Sequence, residues 1–215
     1  MVLGVPDDRY DDVVATLKHE ISVKYDNHLN TGIFGTQFFF ETLALNGLND
    51  IAYNAMNQED FPSFGNWIKQ GATVTWEKWN GADSRNHPMF GGGLTWFYRI
   101  LAGVNVDAER PAYEHIIIKP ILDKRLPEVY YSHMTPYGEV VSEIRQTGRN
   151  LEMNVTVPVG STATIYIPVG GNTSEVTESG ISVRDSKDVR FERIQDGNCI
   201  VRVPQGKYKF KVDNQ

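Results

Sequence analysis

Ile116-Ile117-Ile118-Lys119-Pro120 marks the place where the hydrophobic rhythm of this 215-residue chain changes. Before it, apolar residues recur every three or four positions, as along one face of a helix; after it, they alternate every second position, as along one face of a sheet. The change falls around residues 105 to 115, so the chain reads as a helical part, residues 1–105, followed by a strand part, residues 106–215.

Upstream, Asp7 or Asp8 is placed to cap a first helix whose apolar face is Tyr10, Val13, Val14, Leu17 and Ile21, running to about Val23. The run from Gln37 to Leu45 is apolar nearly all round, is stopped by Asn46-Gly47 and is expected to be buried. Leu48 to Asn57 reads as a short amphipathic helix. Phe61-Pro62-Ser63 starts another, with Trp67 and Ile68 packing and Gly71 ending it. After His87-Pro88, the residues Phe90, Leu94, Phe97, Leu101 and Val104 predict a last helix.

Downstream, strands are predicted at 128–134, 139–146, 151–157, 162–167, 190–194, 200–203 and 207–212, separated by turn residues such as Pro136-Tyr137-Gly138 and Asp196-Gly197-Asn198. Glu139-Val140-Val141-Ser142-Glu143-Ile144-Arg145 exposes polar residues on one face only, as a two-layer antiparallel sandwich requires. Val169 to Ser179 reads as a long solvated loop or irregular edge. Tyr130, Tyr131 and Tyr137 are strand tyrosines that either pack or line a sugar-binding face.

Composition removes several function classes. The formal charge of −6 and the scattered Lys and Arg leave no footprint for nucleic acid. Lone Cys199 excludes an internal disulfide framework and leaves the redox compartment open. No apolar run approaches the roughly 20 residues of a membrane span, and the N-terminus is not a signal peptide. Instead it leads straight into a helix, as a segment internal to a larger protein would. The five histidines lack paired ligand spacing, Gly91-Gly92-Gly93 lacks a phosphate-binding partner, and Gly-x-Ser-x-Gly is absent, so neither a metal nor another cofactor is expected.

The chemistry concentrates in Gly71-Ala72-Thr73-Val74-Thr75-Trp76-Glu77-Lys78-Trp79-Asn80-Gly81 and the following Ser84-Arg85-Asn86-His87. Trp76 and Trp79 flank one carboxylate, and aromatic faces can stack on the C–H surface of a sugar. Packing tryptophans around a solvated glutamate, and a His87 that merely caps the next helix, account for the same residues. Lys78 is an adjacent counter-charge for Glu77.

These motifs carry a resemblance. His28-Leu29-Asn30-Thr31-Gly32-Ile33-Phe34-Gly35-Thr36, Pro62-Ser63-Phe64-Gly65, Gln70 to Trp79 and Ser84-Arg85-Asn86-His87-Pro88-Met89-Phe90-Gly91, in that order, resemble the bacterial α-L-rhamnosidases of glycoside hydrolase family 78. The resemblance implies a multidomain α and β chain: the late helices of an (α/α)6 barrel followed by a C-terminal antiparallel β-sandwich. It implies an inverting hydrolase of terminal α-L-rhamnose in which Glu77 is the general base and His87 contacts the sugar. Trp76 and Trp79, with Asn86, would complete the substrate-binding wall.

The family's acidic motif bearing the general acid has no match here, and Glu41 is a poor substitute. The expectation is therefore a fragment with the base but not the acid, inactive alone, acting in its parent on a rhamnose-containing glycoside or polysaccharide. Half a barrel would also expose apolar helix faces and favour self-association. Two alternatives stay open: a non-catalytic carbohydrate-binding or scaffolding module, and another (α/α)6-barrel glycosidase.

Overall fold

The computed structural model describes residues 4–170 and 175–213. It divides into two compact units, Met1–Trp96 and Phe97–Gln215. Residues 97–105, read from the sequence as the end of the helical part, group with the strands.

The first unit contains α1 (Tyr10–His19), α2 (Thr36–Leu45), α3 (Asn49–Met56) and α4 (Phe64–Lys69). No side chain caps α1: Asp7–Arg9 forms a separate 3-10 turn, and the carboxylates in the first helical turn are Asp11 and Asp12. Ser63 does cap α4, accepting a hydrogen bond from Asn66 N–H at 2.9 Å. In α2 the face bearing Phe39, Phe40, Leu43 and Ala44 is buried. Contrary to the expectation of full burial, Phe38 and Leu45 are 43% and 70% exposed, and Ile68 of α4, expected to pack, is 71% exposed.

The predicted helix after His87 is instead a 3-10 segment at Pro88–Leu94, a π-helical turn at Trp96–Leu101 and a strand containing Val104. Three consecutive glycines weaken an α-helix by roughly 1 kcal/mol each relative to alanine. Their benefit is close approach: a Cβ on Gly92 would lie 2.9 Å from Gln37 Cα in α2.

The second unit holds eleven described strands in two sheets. One sheet has the order β1 (Val104–Val106), β2 (His115–Ile118), β6 (Thr162–Pro168), β10 (Asn198–Val203), β9 (Arg190–Gln195). The other runs β3 (Glu128–Thr135), β4 (Gly138–Thr147), β5 (Asn150–Val157), β11 (Gly206–Asp213), β7 (Glu175–Glu178), β8 (Ile181–Ser182). Ile116, Ile118, Ile165 and Val201 of the first sheet share one buried core with Ile144, Met153, Val155 and Phe210 of the second. That is the sandwich the alternation requires.

Two details depart from the reading. β2 and β6 pair in parallel, because the chain leaves the first sheet for β3, β4 and β5 before returning. Part of the expected loop at Val169 to Ser179 is strand β7, whose Val176 enters the core at 4% exposure; residues 171–174 of that stretch lie outside the described residues. Among the strand tyrosines, Tyr131 packs by stacking on Tyr98 at 5.6 Å, whereas Tyr130 is 66% exposed.

Gly103 joins the π-helical turn to β1 with φ +74°, and a Cβ there would lie 2.2 Å from the backbone nitrogen of Pro120. Gly103→Ala should therefore destabilise the second unit by about 2 kcal/mol or more, measured as a lowered urea midpoint; an unchanged midpoint would contradict the packing described.

Burial, and for His115 also the charge of Arg110, holds His115 and His133 below the usual imidazole range. His28 is the opposite case: burial pulls its pKa down, but hydrogen bonds to Asp60 and the Tyr25 carbonyl outweigh this and raise it. A depressed histidine binds fewer protons in the folded than in the unfolded chain, so its contribution is present above the unfolded pKa of about 6.5 and is lost as pH falls from there through its lower folded pKa. A raised one contributes below about 6.5 and loses that contribution as pH rises through its folded pKa. NMR titration of the imidazoles should place His115 and His133 below free histidine and His28 above it; the reverse order would refute the assignment.

Candidate active site

The site is built on a segment that folds back on itself. Glu77 N–H donates to the Ser84 carbonyl and His87 N–H to the Thr75 carbonyl, each at 2.8 Å. Thr75 Oγ1 adds a 2.6 Å hydrogen bond to the His87 carbonyl. The intervening turn closes through Gly81 N–H on the Lys78 carbonyl at 2.9 Å. In an extended arm successive side chains point to opposite sides, and here Trp76 goes inward while Glu77 goes outward.

Trp76 is 4% exposed and forms a buried cluster with Trp67 and Phe90, against which Ile33, Phe64, Ala72 and Trp79 pack. The Arg85 guanidinium covers it, 4.6 Å from the ring centroid, while Arg85 Nε donates to the Gly81 carbonyl at 3.1 Å. Trp79 is half-buried, 4.5 Å from the Trp67 ring and 4.4 Å from the Phe90 ring. Trp67 Nε1 donates to the Trp79 carbonyl at 2.9 Å, and Trp79 Nε1 to the Thr31 carbonyl at 2.8 Å. The second bond ties the His28-to-Thr36 stretch to the site. That stretch is braced by the Thr31 and Thr36 hydroxyls, 2.8 Å apart, and by Thr36 Oγ1 on the Gly32 carbonyl at 3.0 Å.

Against this aromatic base lies a concavity of about 280 Å³ lined by Gly32, Phe61, Glu77, Lys78, Trp79, Asn80 and Phe90. Glu77 is half-buried, and its Oε2 accepts a hydrogen bond from Ser84 N–H at 3.2 Å. Lys78 makes its direct ion pair with Asp83, and the Glu77 charge acts on it only as a smaller contribution. The lysine ammonium sits 2.6 Å from Asp83 Oδ2, a contact that raises the lysine's pKa.

Of the residues singled out from the sequence, Glu77 and Trp79 line the same concavity, whereas Trp76, Asn86 and His87 are not among its lining residues. Asn86 is exposed on the returning arm, where its N–H donates to Ser84 Oγ at 3.2 Å. His87 makes no side-chain cap to the following 3-10 segment, and its Nδ1 is buried without a hydrogen-bond partner among the described residues. Phe61, 57% exposed, and Asn80 are lining residues that the sequence reading passed over. Asn80 adjoins the Trp-Glu-x-Trp motif, which was the available signal; nothing local distinguishes Phe61. No group of three His, Cys, Asp or Glu side chains suited to a metal ion occurs among the described residues.

The chain is similar to known proteins over both of its parts. Residues 1–101 match the family model of the bacterial α-L-rhamnosidase six-hairpin glycosidase domain, and residues 103–182 match that of the bacterial α-L-rhamnosidase C-terminal domain. An α-L-rhamnosidase of Formosa agariphila is 30% identical over 198 residues, covering 87% of this chain and 21% of the relative. The solved α-L-rhamnosidase from Dictyoglumus thermophilum superposes with a TM-score of 0.87 at 34% identity, over 98% of this chain and 24% of that one. The Streptomyces avermitilis α-L-rhamnosidase, solved in complex with L-rhamnose, gives a TM-score of 0.85 at 27% identity, over 97% of this chain and 20% of that one. The chain thus spans about a fifth of the length of the curated relatives it matches. With a six-hairpin glycosidase segment followed by a β-sandwich, it belongs to the bacterial α-L-rhamnosidase family.

Proposed function

We propose that this chain is the base-bearing part of an inverting α-L-rhamnosidase, with Glu77 deprotonating the water that attacks the anomeric carbon of a terminal α-L-rhamnose. The observation that carries the reading is the single carboxylate of the concavity: among the described lining residues only Glu77 has one, and it stands beside Trp79 and Phe90. Inverting glycosidases separate their two carboxyl groups by roughly 6.5–9.5 Å to leave room for water, so the acid need not share the base's own wall. In this reading the general acid comes from another segment of the longer parent and protonates the leaving oxygen.

Trp79 is the apolar wall for the sugar ring, and Trp76 shapes that wall from behind by fixing the arm that carries Glu77. His87 and Asn86, on the returning arm, are proposed to reach the sugar once the remaining helices complete the pocket. The exposed Phe38, Leu45 and Ile68 support a parent in which further helices cover these faces. The substrate is then a rhamnose-containing glycoside or polysaccharide, and the isolated chain, which would otherwise self-associate through those faces, hydrolyses nothing.

In the full-length parent, Glu77→Gln should lower kcat for an aryl α-L-rhamnoside by about 10²–10⁴-fold and leave KM nearly unchanged, since only the activation of water is lost. A variant retaining full kcat would exclude Glu77 as the base. The isolated chain should show no turnover of the same substrate. Turnover abolished by Glu77→Gln would show that both carboxylates reside in these residues.

A further inference from the structure

We infer that the outer face of the five-stranded sheet is a binding site for a neutral sugar ring, in the second unit and separate from the Glu77 concavity. Strand register assembles it. Ile117 lies beside Thr164, which lies beside Arg202; one step along the strands, Tyr166 lies beside Ile200, which lies beside Arg193. Directly paired residues, and residues two apart on one strand, share a face. The neighbours Ile116, Ile118, Ile165 and Val201 all point into the core, so these two rows form the opposite, outward side.

The rows make two adjoining concavities, of about 210 and 120 Å³, that share Tyr166, Arg193 and Ile200. Together they reach the lower end of the size range of small-ligand sites. Ile117 and Ile200 supply an apolar floor. Although outside the sandwich core, Ile200 is only 3% exposed. Thr164 is pre-set: His115, 3% exposed, uses Nε2 on Thr164 Oγ1 at 2.8 Å and Nδ1 on Thr162 Oγ1 at 2.6 Å. A hydroxyl whose position is fixed by a buried imidazole costs little entropy to engage.

The charges select the ligand class. Among the lining residues of the larger concavity Arg110, Arg193 and Arg202 are matched by Asp107, Glu109 and Glu192, so the lining itself carries no net charge to favour a phosphate, a sulfate or a metal ion; Arg190, beside Arg202 in register and 3.2 Å from Glu192, is not part of that lining. What the lining offers is donors set against acceptors. Arg110 lies 3.2 Å from Asp107, Arg202 lies 3.5 Å from Glu192, and Arg193 Nε donates to the neutral Gln195 Oε1 at 2.6 Å. Each guanidinium carries five N–H groups and each carboxylate about four acceptor sites, so these contacts leave capacity at every pair. Vicinal ring hydroxyls, each both donor and acceptor, match that alternation, and the C–H face of the ring matches the aliphatic floor and Tyr166. Lys119 Nζ, 5.0 Å above the Tyr166 ring, is the group a ligand would displace or hydrogen-bond.

The test is a titration of the ¹⁵N-labelled chain with methyl α-L-rhamnopyranoside, with sodium sulfate as the anion probe. Saturable shifts are expected at the amides of Ile117, Thr164, Tyr166 and Ile200, with a Kd of about 1 mM. Arg193→Ala, an exposed position, should weaken binding at least tenfold, as should Tyr166→Ala; should the tyrosine variant fail to fold, the arginine variant decides. No saturable shift at these amides, sulfate shifts without sugar shifts, or binding unaffected by Arg193→Ala would each overturn the inference. Shifts at these four amides are read independently of any shifts at residues 75–87. Sugar shifts confined to residues 75–87 would overturn this site while supporting the one at Glu77.

Discussion

Two indole hydrogen bonds in series hold the candidate site together. Trp67 donates to the Trp79 carbonyl and Trp79 donates to the Thr31 carbonyl, so α4, the folded-back segment and the His28-to-Thr36 stretch are joined through ring nitrogens that would otherwise be costly to bury. Each such bond contributes only about 1 kcal/mol net, but an orphaned buried partner costs about 1–3 kcal/mol, which makes the arrangement hard to leave. The aromatic contacts of Trp67 with Trp76, Trp79 and Phe90 fix the ring positions as well. Glu77 inherits its place from this cluster rather than from any regular element.

That dependence explains what the sequence could and could not convey. Strict alternation, as in Glu139 to Arg145, reports one buried face directly, and the strands so patterned sit where the pattern puts them. The division of labour between Trp76 and Trp79 is not local information. One enters the core and the other faces the concavity because the backbone of Glu77 donates to the Ser84 carbonyl and that of His87 to the Thr75 carbonyl, which pairs the two arms, while Trp79 sits within the Lys78 to Gly81 turn that reverses the chain. Lys78 likewise makes its direct ion pair with Asp83 across that turn, although Glu77 is its neighbour in sequence.

The failures of periodicity have physical causes too. Phe90, Leu94, Phe97 and Leu101 keep helical spacing, yet Gly91-Gly92-Gly93 cannot sustain an α-helix and instead let the segment pack closely on α2. Strand β7 was hidden by a serine- and threonine-rich surround, and its Val176 gains its place by pairing with β11, far along the chain. The parallel β2–β6 pair is invisible to any window shorter than the excursion through β3, β4 and β5.

The proposed mechanism gives a single carboxylate, lining a concavity with Trp79 and Phe90, one half of a two-group reaction, and the proposed sugar site would give the sandwich a role of its own. The proposed role of Glu77 requires water to attack the sugar directly, from the face opposite the leaving group. The most direct test follows the first sugar released by the full-length parent from an α-L-rhamnoside, by ¹H NMR before mutarotation equilibrates the anomers. Initial appearance of the β anomer is the expected result; initial appearance of the α anomer would mean a covalent glycosyl-enzyme and would contradict a water-activating base.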